Sequence, residues 1–144
     1  MTSNAINALF DVNLWLALSY SRHMHHAEVV AAMPGLPRPC FCRVTQQSLL
    51  RMLSNPHVMG PGVHAPDIAW QEYDRMFSGT GALFFPEPEG LELQWRKYAN
   101  DGQGSSGSAW TDAYLAAFAV TANLELVTFD RGFRRFKGLQ SRLL

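Results

Sequence analysis

Short β-rich runs alternate with stretches of helical spacing along almost the whole chain. The runs fall at residues 7–11, 40–44, 83–85, 124–129 and within 139–144. Strands separated by helices favour a parallel sheet with helices covering both faces, so the pattern predicts an α/β fold. A helix is expected over 13–20 and another over 23–33, ended by Pro34-Gly35. Thr45 can cap a helix that runs to about Leu53, with Leu49, Leu50 and Leu53 on one face, and Asn55-Pro56 marks its end. Residues 56–64 read as a loop, and Pro66 opens a helix that carries Trp70, Tyr73 and Phe77. Pro88 to about Ala99 follows, with Leu91, Trp95 and Tyr98 on one stripe. The glycine- and serine-rich stretch 100–108 reads as a mobile loop before a helix over 109–122. No repeat or second domain is evident, so residues 1–144 are expected to form one domain.

Three aspartates stand at the junctions of this pattern. Asp11 ends the apolar run Ala8-Leu9-Phe10, Asp112 lies in the first turn of the 109–122 helix, and Asp130 ends the run Leu124 to Phe129. Strand ends and helix starts meet at one edge of an open parallel sheet, where such folds place their sites. Carboxylates gathered there repel one another, and a divalent cation with oxygen ligands is the usual compensation. Each acid also has a plainer role. Asp11 can cap the following helix, as can Asn13. Asp112 gains from the helix dipole, although its face also carries Leu115, Ala116 and Ala119, so it can point inward beside small residues. Asp130 can be an ordinary turn acid before Arg131-Gly132.

Twelve basic residues balance twelve acidic ones, so net charge gives no general case for nucleic acid. The distribution is uneven. Beyond Asp130 the chain holds Arg131, Arg134, Arg135, Lys137 and Arg142 and no acid. This cluster is either a phosphate-contacting surface or a solvated basic edge. One residue between Cys40 and Cys42 is a poor spacing for a disulfide, and they read as buried free thiols, which fits a reducing cytoplasm. No signal peptide opens the chain, and no apolar run approaches the ~20 residues of a membrane helix. His23, His25 and His26 lack companions at a recognised zinc spacing and are better read as an exposed helix start. Ser105 and Ser106 lie in a glycine-rich stretch without the Gly-Lys-Ser/Thr ending of a phosphate loop.

Five segments occur in order: Phe10 to Trp15, Arg43 to Arg51, Asn55-Pro56, Trp110 to Ala113, and Thr128 to Phe133. Together they resemble the PIN-domain ribonucleases, and more closely the VapC-type toxins of bacterial toxin–antitoxin pairs. The resemblance spans nearly the whole chain. It implies a three-layer α/β/α sandwich and a metal-dependent endoribonuclease that hydrolyses RNA phosphodiester bonds. Asp11, Asp112 and Asp130 would then be catalytic residues and ligands of Mg²⁺ or Mn²⁺, with Asn13 and Thr128 orienting them through hydrogen bonds. It also implies a small VapB-type antitoxin as partner, and a homodimer.

The chain departs from the family at one point. Many relatives carry a glutamate just after the threonine of the second strand-to-helix junction, and Gln46 stands there, followed by Gln47. No acid lies between Cys40 and Pro66. Losing one anion weakens a hard-cation site, which leaves open a PIN-like module that binds RNA or antitoxin without turnover. A phosphotransfer domain of the haloacid-dehalogenase type needs a second aspartate two positions after the first, where this chain has Asn13. A receiver-like domain needs a late lysine beside its acids, and none is evident.

Overall fold

The computed structural model describes residues 5–101 and 108–144. It contains five short strands: β1 (Asn7–Phe10), β2 (Arg38–Phe41), β3 (Leu83–Phe84), β4 (Glu125–Thr128) and β5 (Ser141–Leu143). All neighbouring pairs are parallel, in the order β3-β2-β1-β4-β5. Helices α1 (Val12–Ser19), α2 (His26–Ala32), α3 (Arg43–Leu53), α4 (Pro56–Met59), α5 (Pro66–Gly79), α6 (Leu91–Asp101) and α7 (Ala109–Thr121) connect them.

The period-two alternation of the strands divides the interior into two cores. Ala8, Phe10, Phe41 and Val127 pack with Trp15, Leu14, Leu49, Leu53 and Tyr73 from α1, α3 and α5. Leu9, Cys40 and Leu126 pack on the opposite face with Leu91, Tyr98, Leu115 and Phe118 from α6 and α7. Sheet between two helical layers is the α/β/α sandwich. Trp15 anchors the first core by stacking on Phe41, with ring centroids 3.8 Å apart.

Several boundaries differ from the sequence reading. The second strand spans Arg38–Phe41 rather than 40–44, because Cys42 already begins the turn into α3. Thr45 is therefore not the first capping residue. It lies one turn inside, and its hydroxyl accepts from the Cys42 backbone N–H at 3.0 Å. Residues 56–64 are not simply a loop. Asn55 accepts from the His57 N–H at 2.9 Å and starts α4, which leads into a 3₁₀ turn at Gly60–Gly62. The second helix begins at His26 rather than residue 23, and the sixth at Leu91 rather than Pro88. Asn100 and Asp101 continue α6. The remainder of the expected loop, 102–107, lies outside the described residues. The cysteines are free and buried, and burial pushes the Cys40 thiol up to about 12, so it stays protonated. No described helix is long and apolar enough to cross a membrane.

Candidate active site

The connections run from β1 outward to β2 and β3, then cross to β4 and β5 on the other side of β1. The crevice at the carboxyl ends of β1 and β4 is thus the topological switch point. Asp11 follows β1 and Asp130 follows β4, and the first turn of α7 brings Asp112 to the same opening. All three acids line one pocket of about 430 Å³, together with Asn13. Ser108 and Thr111 form part of the α7 side.

The register fixes Asp11. Phe10 pairs with Val127, so the next residue on each strand meets across the ladder. The Thr128 hydroxyl donates to Asp11 Oδ2 at 2.8 Å and accepts from the Asp130 backbone N–H at 3.0 Å. Asp11 Oδ1 accepts from the Val12 N–H at 2.8 Å, which caps α1. The sequence alternatives for Asp11, capping or facing the site, are therefore not exclusive: one oxygen caps while the carboxylate lines the pocket. Asp11 is only 6% exposed. Burial holds its carboxyl above the ordinary value, the Thr128 and Val12 bonds pull it down, and Asp112 and Asp130 push it up again.

Asp112 is half-buried, and burial likewise raises its carboxyl, opposed by Arg135 and reinforced by Asp130. Its Oδ2 lies 3.6 Å from the Arg135 guanidinium. Asp130 is exposed and accepts from the Gly132 N–H at 2.7 Å, starting a 3₁₀ turn over Arg131–Arg135.

Thr128 therefore couples two of the acids. Replacing it by the near-isosteric Val is expected to lower activity about 10–100-fold, the usual cost of losing an orienting partner. It should also cost about 1–3 kcal/mol of stability, because Asp11 Oδ2 loses its donor in a buried setting. Thr128→Ser, which keeps the hydroxyl, should restore most of both. Cleavage rates and thermal melts of the two variants check this.

The third wall is α3, and here the structure departs from the sequence reading. Gln46 is buried, but its Oε1 accepts from Arg43 at 2.6 Å and it lines a separate depression with Tyr73 and Phe84. It does not face the acids. The α3 residues in the acid pocket are Val44, Thr45, Ser48, Arg51 and Met52. Their spacing of three and four marks one helical face. That signal was present in the sequence, and following it from Thr45 would have found Ser48 and Arg51.

The tail arginines divide. Arg135 is committed to Asp112, to the Gly132 carbonyl at 2.6 Å and to the Phe136 ring. Arg131, Arg134 and Lys137 are exposed and do not line the pocket. Arg142 pairs with buried Glu125 at the opposite end of β4. The histidines serve local structure: His26 Nδ1 lies 2.6 Å from the Ala17 carbonyl, and His25 contacts Glu28 and stacks on Phe129.

Among the described residues, no group of three or more His, Cys, Asp or Glu side chains forms a ready metal cage. Mg²⁺ does not require one. It keeps several waters and binds through one or two carboxylates plus substrate phosphate. Three carboxylates lining one pocket supply that donor chemistry, and neighbouring acids add to the burial that raises Asp11 and Asp112.

The sheet order and the acidic pocket at its switch point define a PIN domain, and that family matches residues 8–139. The chain is 43% identical to Ribonuclease VapC41 of Mycobacterium tuberculosis over 143 residues, 94% of this chain and 97% of the relative. Ribonuclease VapC39 of the same organism is 30% identical over 128 residues, covering 87% and 89%. The chain belongs to the VapC family of PIN-domain proteins. Two solved structures share its fold. VapBC2 from Rickettsia felis, bound to a promoter DNA fragment, has a TM-score of 0.70 at 11% identity, covering 95% and 98%. VapBC-1 from nontypeable Haemophilus influenzae has 0.64 at 20%, covering 95% and 97%.

Proposed function

We propose that this chain is an endoribonuclease toxin that hydrolyses RNA phosphodiester bonds with Mg²⁺ or Mn²⁺, and that a small VapB-type antitoxin restrains it. The observation that carries the reading is the convergence of Asp11, Asp112 and Asp130 on one pocket at the switch point of the sheet. Relatives named as ribonucleases support the activity, and the VapBC complexes among its structural relatives support the partner. A cytoplasmic homodimer completes the reading.

Asp11, Asp112 and Asp130 would hold the cation. When bound, it would polarise the phosphoryl group and lower the pKa of an attacking water. The chain's own residues do the rest. Thr128 fixes the Asp11 carboxylate, and through the Asp130 N–H it also fixes the corner from which Asp130 projects. Arg135 holds Asp112 at the pocket wall. In the reaction the water oxygen forms a new bond to phosphorus, one ester P–O bond breaks, and the departing oxygen receives a proton.

A second reading follows from α3, whose pocket face carries hydroxyls and a guanidinium but no carboxylate. With only three acids, the domain could bind RNA without turnover. Purified, partner-free protein incubated with mixed cellular RNA and Mg²⁺ or Mn²⁺ separates the two. Discrete fragments accumulating beyond one cut per protein molecule are expected. Retention of RNA on the protein without new ends would favour the binding module.

A further inference from the structure

We propose that Arg51 grips an oxygen of the RNA phosphate that enters the acid pocket. This rests on the ribonuclease reading and adds a substrate-contacting residue to it. Three carboxylates outweigh one divalent cation and Arg135 offsets only that excess at Asp112, so a loaded pocket has no positive charge to spare for substrate. A phosphodiester adds a further negative charge. Something on the rim must offset that charge, and a guanidinium is well suited, because its planar donors match two phosphate oxygens at once.

Arg51 is the lysine or arginine that lines the pocket among the described residues. It stands on α3, across from the acids carried by the ends of β1 and β4 and by α7, one helical step beyond Ser48. It is exposed, and its side chain forms no ion pair or hydrogen bond with any described residue. The other cations near the sheet edge are already engaged or lie elsewhere. Arg135 is bound to Asp112, and Arg43 to Gln46 and the Phe84 ring. An arginine that shares a pocket with three carboxylates and pairs with none of them can turn its donors to an incoming anion.

The rest of the α3 wall leaves the Arg51 charge unopposed. Thr45 and Ser48 are neutral, so the positive field of Arg51 reaches into the pocket without a carboxylate on its own helix face to neutralise it. The contact would strengthen as charge develops on the phosphoryl oxygens in the transition state.

Three variants test this: Arg51→Ala, Arg51→Lys, and Arg51→Ala in an Asp11→Asn background that holds RNA uncut. Steady-state cleavage of a fluorescent single-stranded RNA should show kcat/KM lowered about 100-fold by Arg51→Ala, as for loss of one donor to a developing oxyanion. Arg51→Lys should recover only part of that loss. In the uncut background, the slope of log K against log salt should become shallower by about 0.7, one phosphate contact on a single strand. The melting temperature should not move, because the Arg51 side chain is exposed and pairs with no described residue. A kcat/KM within threefold of the wild type with an unchanged salt slope would overturn the proposal, as would a loss of activity that tracks a lower melting temperature. Failure of the ribonuclease reading looks different: the wild type cuts no RNA, while the binding arm still reports whether Arg51 meets phosphate.

Discussion

Asp11→Asn is expected to lower RNA cleavage about a thousandfold or more while leaving the protein folded. The size follows from the several kcal/mol that a metal-centred site supplies to a phosphoryl transition state, with each 1.36 kcal/mol worth about tenfold. Asn removes the charge but keeps the shape. As a helix cap Asn ranks with Asp, so its Oδ1 can still accept from the Val12 N–H. The new NH₂ meets Thr128 Oγ1, which has a second lone pair beyond the one taken by the Asp130 N–H.

The pH dependence of stability should separate loss of charge from loss of fold. Burial raises the Asp11 carboxyl in the native state above its ordinary value. The folded protein therefore holds that proton more tightly than the unfolded chain. From this group, stability falls as pH rises from the ordinary carboxylate value through the raised native one, and the penalty is fully present above that raised value. Asp11→Asn removes the penalty. In chelator at pH 7 its melting temperature should equal or exceed that of the wild type, with the difference shrinking as the solution is acidified through that window. Cleavage within tenfold of the wild type would remove Asp11 from the chemistry. A clearly lower melting temperature at pH 7 would mean that the lost activity reflects a damaged fold.

The junctions that carry the three acids were the most legible part of the sequence. Asp11 and Asp130 are marked by the β-rich runs they terminate, and Asp112 by the start of an apolar helix. Once the strands are parallel, the switch point brings their ends together with little further choice. The α3 wall was less legible, because a helix position depends on phase. The family resemblance, which sets a glutamate just after Thr45, put Gln46 at the pocket. The observed start, with Cys42 capping and Arg43 as the first helical residue, turns Gln46 toward Arg43 and Tyr73. The pairing of Asp112 with Arg135 was also beyond local reading. It joins α7 to a 3₁₀ turn on the far side of β4, and only the packed sheet brings them within reach. The tail looked like one basic cluster, but packing splits it into Arg135, which pairs with Asp112, Arg142, which pairs with Glu125, and Arg131, Arg134 and Lys137, which face solvent.

Removal of divalent cations is expected to abolish cleavage, and their return should stabilise the protein in a pH-dependent way. A ligand at a hundredfold excess over its Kd stabilises the folded state by about 2.7 kcal/mol, which is several degrees of melting temperature in a domain of this size. Protons compete for the same oxygens. Burial is the largest cause raising both Asp11 and Asp112, so that competition should begin at a higher pH than for exposed carboxylates. The shift produced by Mg²⁺ or Mn²⁺ should therefore be large at pH 7.5 and shrink as the pH falls, even where exposed aspartates are still ionised. Asp11→Asn should lose most of it at every pH, because the deepest carboxylate is gone. Calorimetric melts across pH, with chelator and with each cation, measure this without relying on cleavage. Equal shifts in the wild type and in Asp11→Asn would move the cation away from this pocket. Cleavage that persists in chelator would remove the cation from the reaction and leave the acids to act as proton carriers beside Arg51 and Arg135.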